Sequence, residues 1–283
     1  MTLTVTMTGA AGQLGTLLRP RLRALGWRIR LVDLRHPDPY PEDNETVVAG
    51  SVTDPAVMAR AVEGADLIVH LGGIHREMDW DTVMTTNVTG TRVVLDAARD
   101  ANVTRILLAS SSHAVGYWPT AAAQTGRPLS PRPDTYYGLS KVAVEGLGSL
   151  YADRFGMKVV SARIGTCKPV PDTVRCLSTW LSPDDLVRLV VATASDVGAP
   201  GHHTVWAISR NTRRWADLDS GRTIGYEPVD DAELWAEHVG PQDDRHLERV
   251  GGPWATPEHE LGRDVFQSIR SNLGPYSASV GPM

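Results

Sequence analysis

Over its first 165 residues the chain alternates short β-branched and aliphatic runs with longer stretches whose apolar positions recur every three or four residues. The short runs, Leu3–Thr8, Arg28–Val32, Thr46–Val48, Asp66–Leu71, Arg105–Ala109 and Lys158–Arg163, read as strands. The longer ones, Gln13–Leu25, Pro55–Val62, Asp81–Asp100 and Asp134–Phe155, read as helices. In the last of them Leu139, Val142, Ala143, Leu147, Leu150 and Tyr151 recur at helical spacing, so one face belongs to a core. Strand alternating with helix implies an α/β fold, a doubly wound parallel sheet with helices on both faces.

Beyond Arg163 the pattern changes. Prolines and tryptophans become frequent, the run Thr204–Ile208 stands as an isolated strand, and the helical stretches Pro183–Ala194 and Asp231–His238 are short. Residues 1–165 therefore read as the sheet domain, and 166–283 as a smaller C-terminal region that caps the mouth of the sheet. The tail after Ser271, SNLGPYSASVGPM, is polar and glycine-rich and reads as loose.

Composition narrows the partners. A net charge of −5 with no block of like charge argues against a nucleic acid or an anionic membrane as the main partner. No run of about 18 apolar residues predicts a membrane span, and the N-terminal MTLTVTMTGAAG lacks the basic and apolar segments of a signal peptide. Cys167 and Cys176 are too few for a disulfide framework and lack metal-ligand spacing with histidines, so no metal is expected. A cytoplasmic location fits this usage.

Two constellations carry chemistry. The first is Thr8-Gly9-Ala10-Ala11-Gly12-Gln13-Leu14-Gly15, a GxxGxxG turn between the first strand and the first helix. Small residues there let the backbone approach a pyrophosphate, and the helix N-terminus supplies unpaired N–H groups. Asp33 ends the second strand, where a carboxylate hydrogen-bonds an adenosine ribose and repels a 2′-phosphate. Together they make this a Rossmann sheet and favour NAD over NADP, with Arg35 as the one opposing charge nearby.

The second is Tyr137-Gly138-Leu139-Ser140-Lys141. At i and i+4 the phenol and the ammonium share a helix face. With seven Tyr and three Lys in the chain, chance placement predicts only roughly 0.07 such pairs. An ammonium beside the phenol, with a positive nicotinamide ring, favours the phenolate and hence a base at neutral pH. The fifth strand runs into Ser110-Ser111-Ser112-His113, at the carboxyl end of the sheet where ligands bind, so a serine here can donate to the reacting oxygen. The residues alone leave open which serine it is.

These motifs resemble those of the extended short-chain dehydrogenase/reductase superfamily. The stretches VHLGGI, ASSSHAVGYWP, RPDTYYGLSK, RIGTCKP and RCLSTWLSPDDLVRLV resemble, more closely, the uronate dehydrogenases. That resemblance implies NAD-dependent oxidation of the anomeric carbon of galacturonate or glucuronate to an aldaric lactone. It implies Tyr137 as base, Lys141 as its partner and Ser111 as the ordering hydroxyl. Its cofactor site comprises Gly9, Gly12, Gln13, Leu14, Gly15, Asp33, Ser51, Val52, Leu71, Gly72, Asn87 and Ile164, together with Tyr137 and Lys141. Its sugar pocket comprises Gly73, His75, Ser111, Ser112, His113, Tyr137, Thr166 and Arg175, with Arg175 placed near the substrate carboxylate. A guanidinium fork suits a planar carboxylate bidentately. His75, Ser112 and Ser51 stand where the family pattern has a serine, an asparagine and an aspartate, respectively. His75 reads equally as a new pocket donor or a loop histidine. By analogy with the superfamily a homo-oligomer is expected.

Three alternatives remain on this reading: a dehydrogenase of a neutral or sulfonated aldose, a nucleotide-sugar epimerase or dehydratase, and a non-catalytic NAD-binding regulator. The second would need a larger C-terminal region than the residues after Arg163, and the third has no use for an intact Tyr–Lys pair.

Overall fold

The computed structural model describes residues 2–39, 41–195, 199–240 and 244–263. The tail after Ser271 lies outside the described residues. Seven strands form one sheet: β1 (Thr4–Thr8), β2 (Arg28–Asp33), β3 (Glu45–Ala49), β4 (Leu67–His70), β5 (Arg105–Ser111), β6 (Lys158–Ile164) and β7 (Gly201–Ala207). Their order is β3-β2-β1-β4-β5-β6-β7, and every neighbouring pair is parallel. The order reverses between β1 and β4, which opens a crevice at the carboxyl ends of those two strands.

The side-chain alternation of a strand divides the core into two layers. Leu67 and Val69 of β4 and Leu107 of β5 join one apolar cluster, with Leu18 and Leu22 of α1 (Gln13–Ala24). Ile68, Ile106 and Leu108 join the other, with Met58 of α2 (Pro55–Val62), Val94 of α3 (residues 80–100) and Val144 of α4 (Tyr136–Phe155). The central strands β4 and β5 are thus apolar on both faces because helices cover both.

Two expectations change here. The run expected as an isolated strand is β7, hydrogen-bonded along β6 from Lys158↔Gly201 to Ile164↔Ala207. The helix before it, α5 (Pro183–Ala194), packs against α1, and its Leu186, Leu189 and Val190 enter the first core layer. Sheet architecture therefore continues beyond residue 165. His202 and His203 lie within β7, and His202 Nε2 meets Ser161 Oγ at 2.9 Å. Sequence periodicity does not show this pairing, because β7 is recruited by the open edge of β6.

The third helix is also not uniform. It is α-helical over Trp80–Val83, widens to a π-helix over Met84–Thr89, and is α-helical again over Gly90–Asp100. The wider turn carries Asn87, and such turns often mark functional sites. Further on, the expected helix Asp231–His238 is a 3₁₀ helix, Ala232–His238. Residues 208–262 build a small satellite core of Ile208, Trp215, Leu218 and Val250 beside the end of the sheet. No helix of the described residues is long and apolar enough to cross a membrane.

Candidate active site

A cleft of about 550 Å³ opens at the carboxyl ends of β1, β2, β4, β5 and β6. Its lining includes most of the residues expected there: Gly9, Gly12, Gln13 and Leu14 from the first turn, with Asp33, Ser51 and Val52. Leu71, Gly72, Gly73 and His75 follow β4, Ser111, Tyr137 and Lys141 form the floor, and Ile164 and Thr166 close the far side.

The first turn is built for close approach. Gly9 has φ +68°, and a Cβ there would come within 2.7 Å of the Gly72 nitrogen, so the ends of β1 and β4 touch backbone to backbone. Gly15 does not line the cleft; it packs the helix on the turn, where a Cβ would lie 2.6 Å from the Ala10 carbonyl oxygen. The N-cap of α1 is Gly12, with no side-chain cap, so its first-turn N–H groups await an external acceptor. Asp33 Oδ2 accepts from Ala11 N at 2.9 Å and Oδ1 from Arg35 N at 3.0 Å, which holds the carboxylate at the rim. Arg35 Nη2 donates to the Ala11 carbonyl at 3.1 Å, on the same rim. A backbone cradle without Cβ atoms, an uncapped helix N-terminus and a carboxylate at the end of β2 fit NAD.

The reacting centre rests on α4. Thr135 Oγ1 caps it by accepting from Gly138 N at 2.9 Å, and Glu77 accepts from Tyr136 N at 3.2 Å and Tyr137 N at 2.8 Å. Glu77 also accepts from Gly262 N at 2.9 Å, so one buried carboxylate joins the start of this helix to the C-terminal segment. Tyr137 and Lys141 follow one turn apart, both buried, with the Lys141 Nζ 5.5 Å from the centre of the Tyr137 ring. Tyr136 packs edge-on against Trp80, its centroid 5.4 Å away.

The structure separates the three serines. Ser110 Oγ donates to Glu145 Oε1 at 2.6 Å, and Glu145 is held bidentately by Arg163 at 2.9 and 2.8 Å, so Ser110 belongs to a buried ion pair. Ser111 Oγ accepts from His113 N at 3.2 Å and lies beside the Tyr137 phenol, whose ionised form it favours. Ser112 is buried at the start of a short 3₁₀ helix, Ser112–Val115, and does not line the cleft. His113 sits beside the phenol, its ring 5.7 Å from that of Tyr137, and its Nδ1 is 2.7 Å from Asp134 Oδ2. Trp254 stacks on His113 at 4.3 Å and meets Tyr137 edge-on at 5.8 Å.

Two of the expected site residues stand behind the cleft wall. Asn87 is not on the cleft wall: its Oδ1 accepts from Ile74 N at 2.7 Å, and its Nδ2 donates to the Ile74 carbonyl and to Ser140 Oγ. It fastens the loop after β4 to the catalytic helix from behind. Arg175 also stands off the cleft, donating to Thr179 Oγ1 at 3.2 Å and to the Val250 carbonyl. Thr179 Oγ1 lies 3.3 Å from Thr166 Oγ1, so a pair of hydroxyls separates the guanidinium from the cleft wall. Burial pushes Tyr137 up to about 12, with Ser111 opposing and Asp134 adding to the rise, while burial pushes Lys141 down to about 8. Desolvation thus dominates both shifts, and a positive nicotinamide ring beside the phenol would act in the opposite direction on it.

Residues 5–167 match the NAD dependent epimerase/dehydratase family. Among curated relatives, a uronate dehydrogenase of Pseudomonas putida is 37% identical over 254 residues, covering 88% of this chain and 94% of that one. A second, from Agrobacterium fabrum, is 39% identical over 235 residues, covering 82% and 87%. The crystal structure of a tyrosine variant of uronate dehydrogenase from Agrobacterium tumefaciens, complexed with NAD, superposes with a TM-score of 0.83 at 36% identity, covering 92% of this chain and 100% of that one. The chain belongs to the uronate dehydrogenase family. It is an NAD-dependent oxidoreductase, and the cleft of this uronate dehydrogenase family member brings the glycine turn, Asp33, Ser111, Tyr137 and Lys141 to one place. Sequence reasoning missed Glu77, Asp134 and Trp254, each of which acts through a partner distant in the chain; Asp134 alone had a local signal, as an acid just before the helix.

Proposed function

We propose that the protein oxidises the anomeric carbon of a closed hexuronate, galacturonate or glucuronate, to the aldaric lactone, with Tyr137 as the base. The observation that carries this reading is that Ser111, Tyr137 and Lys141 line one cleft together with the glycine turn, with the Lys141 Nζ 5.5 Å from the centre of the Tyr137 ring. The relatives named as uronate dehydrogenases support the substrate class.

Bound NAD supplies a hydride acceptor and a positive ring. Tyr137 receives the proton of the anomeric hydroxyl as the C1–H bond breaks, and the C1–O bond becomes the lactone carbonyl. Ser111 donates to the same oxygen and holds it against the phenol. Lys141, its charge already weakly held at about 8, donates to the Ala109 carbonyl at 2.8 Å, which fixes the ammonium below the ring. Arg175 receives the substrate carboxylate by exchanging its bonds to Thr179 and Val250 for a bidentate pair, which places the uronate acid group on the Thr166 side. The partner on this reading is a small sugar acid.

The test is NADH formation with free uronates, neutral aldoses and nucleotide sugars, using the wild type, Tyr137→Phe and Arg175→Ala. Turnover of free uronate should fall by about 10²–10⁴ in Tyr137→Phe. In Arg175→Ala it should fall about 30- to 1000-fold, the loss of a charged hydrogen bond. Full activity of Tyr137→Phe, or turnover of neutral or nucleotide sugars alone, overturns the reading.

A further inference from the structure

The Asp134 carboxylate is buried among three glycines from separate parts of the chain. A Cβ at Gly116 or Gly251 would overlap its Oδ2, and one at Gly138 would lie 2.8 Å from its Oδ1. The surrounding backbone is itself fastened, Gly251 N donating to the Gly116 carbonyl at 2.9 Å. Three glycines where side chains would intrude leave room for one charged group. Its side-chain hydrogen bonds go to His113 Nδ1 at 2.7 Å and Thr135 Oγ1 at 3.1 Å.

A carboxylate accepts and does not donate, so the proton of this contact resides on His113 Nδ1. The neutral ring then has its lone pair on Nε2. The ring is clamped on its other sides by Trp254, stacked at 4.3 Å, and by the edge-on contact with Tyr137 at 5.7 Å. Orientation and tautomer are both set before any ligand arrives.

We infer that Asp134 is a positioning residue that fixes the Nδ1–H form of His113, so that His113 Nε2 accepts a hydrogen bond from a sugar hydroxyl next to the carbon being oxidised. This rests on the proposed sugar substrate and on the His113 place in the sugar pocket that the family resemblance implies; the residue newly assigned is Asp134. A substrate hydroxyl then has an acceptor at Nε2 beside the donor and base at Ser111 and Tyr137. A sugar lacking that hydroxyl leaves Nε2 without its substrate partner, which makes the pair a determinant of specificity.

The experiment pairs spectroscopy with kinetics. Ring ¹⁵N shifts of His113, assigned by loss of its signal in His113→Gln and recorded at pH 8.5 without ligand, should show Nδ1 protonated and Nε2 bare. In Asp134→Asn, which keeps the shape of the side chain, that signature should be lost. Its KM for uronate should rise about 10- to 100-fold while its KM for NAD stays within about twofold, because the change touches only the sugar side. A wild-type His113 with the proton on Nε2, or equal changes in both KM values, overturns the inference. If the wild type turns over no uronate at all, the proposed substrate fails, and the ¹⁵N spectra still decide the His113–Asp134 pair.

Discussion

Lys141 Nζ lies 5.5 Å from the centre of the Tyr137 ring and donates to the Ala109 carbonyl at 2.8 Å, so the ammonium is anchored to β5 rather than to the phenol oxygen. The pair is a cation beneath a ring, both groups stripped of water. The lysine is thereby held near neutrality and the phenol well above it.

A stability consequence follows for Lys141. Burial lowers its folded value to about 8 from 10.5, so between those values the unfolded chain holds a proton that the folded protein does not. Stability gains from this site as pH rises through that window, and below about 8 the full penalty of a buried charge remains. Lys141→Met should therefore stabilise the fold at pH 7 by on the order of 1–3 kcal/mol, and the gain should shrink towards pH 10.5 while dehydrogenase activity is lost. Urea unfolding at pH 7 and pH 10 measures both; a variant less stable than wild type at pH 7 contradicts the burial argument.

Asp33 governs the choice of dinucleotide. Asp33→Asn retains an oxygen for the Ala11 N–H but removes the negative charge, leaving Arg35 to face a 2′-phosphate. The ratio of kcat/KM for NADP over NAD should rise roughly tenfold or more, as expected when a like-charge clash is removed. An unchanged ratio would show that discrimination lies elsewhere.

Gly9→Ala places a Cβ against the Gly72 backbone at a residue with φ +68°. The left-handed backbone alone costs about 1–2 kcal/mol for an alanine, and the collision moves β1 and β4 apart. A lower Tm together with a weaker Kd for NAD by calorimetry is the expected pair; retention of both would mean the turn is not the pyrophosphate cradle.

Glu77 caps α4 through Tyr136 and Tyr137 and holds Gly262. Glu77→Ala should destabilise the protein by about 1–2 kcal/mol, the range for losing a helix cap with its buried acceptor. Limited proteolysis should also show earlier cleavage near residue 262. Unchanged cleavage would place the anchoring of that segment in its other contacts, such as Gly251 with Gly116.

Much of the site was legible in one dimension. Tyr137 and Lys141 are one helical turn apart, the glycines of residues 9–15 fall between a strand and a helix, and Asp33 ends the next strand. These relations are set by the 3.6-residue turn and by strand termini, which local pattern encodes. The doubly wound parallel architecture was legible as far as β6 for the same reason, since strand and helix alternate visibly to that point; the order of the strands was not.

Tertiary structure alone decided the rest. Which serine serves the phenol depended on Glu145 and Arg163 claiming Ser110, and the placement of β7 on the free edge of β6. Arg175 keeps its guanidinium on the Val250 carbonyl, and Asp134 and Glu77 close contacts with His113 and Gly262 that span the chain. Each of these is a buried polar group that must find a partner on leaving water, and the partner is whichever segment the packed core brings alongside. Local sequence sets what a residue can donate or accept, and the fold sets to whom.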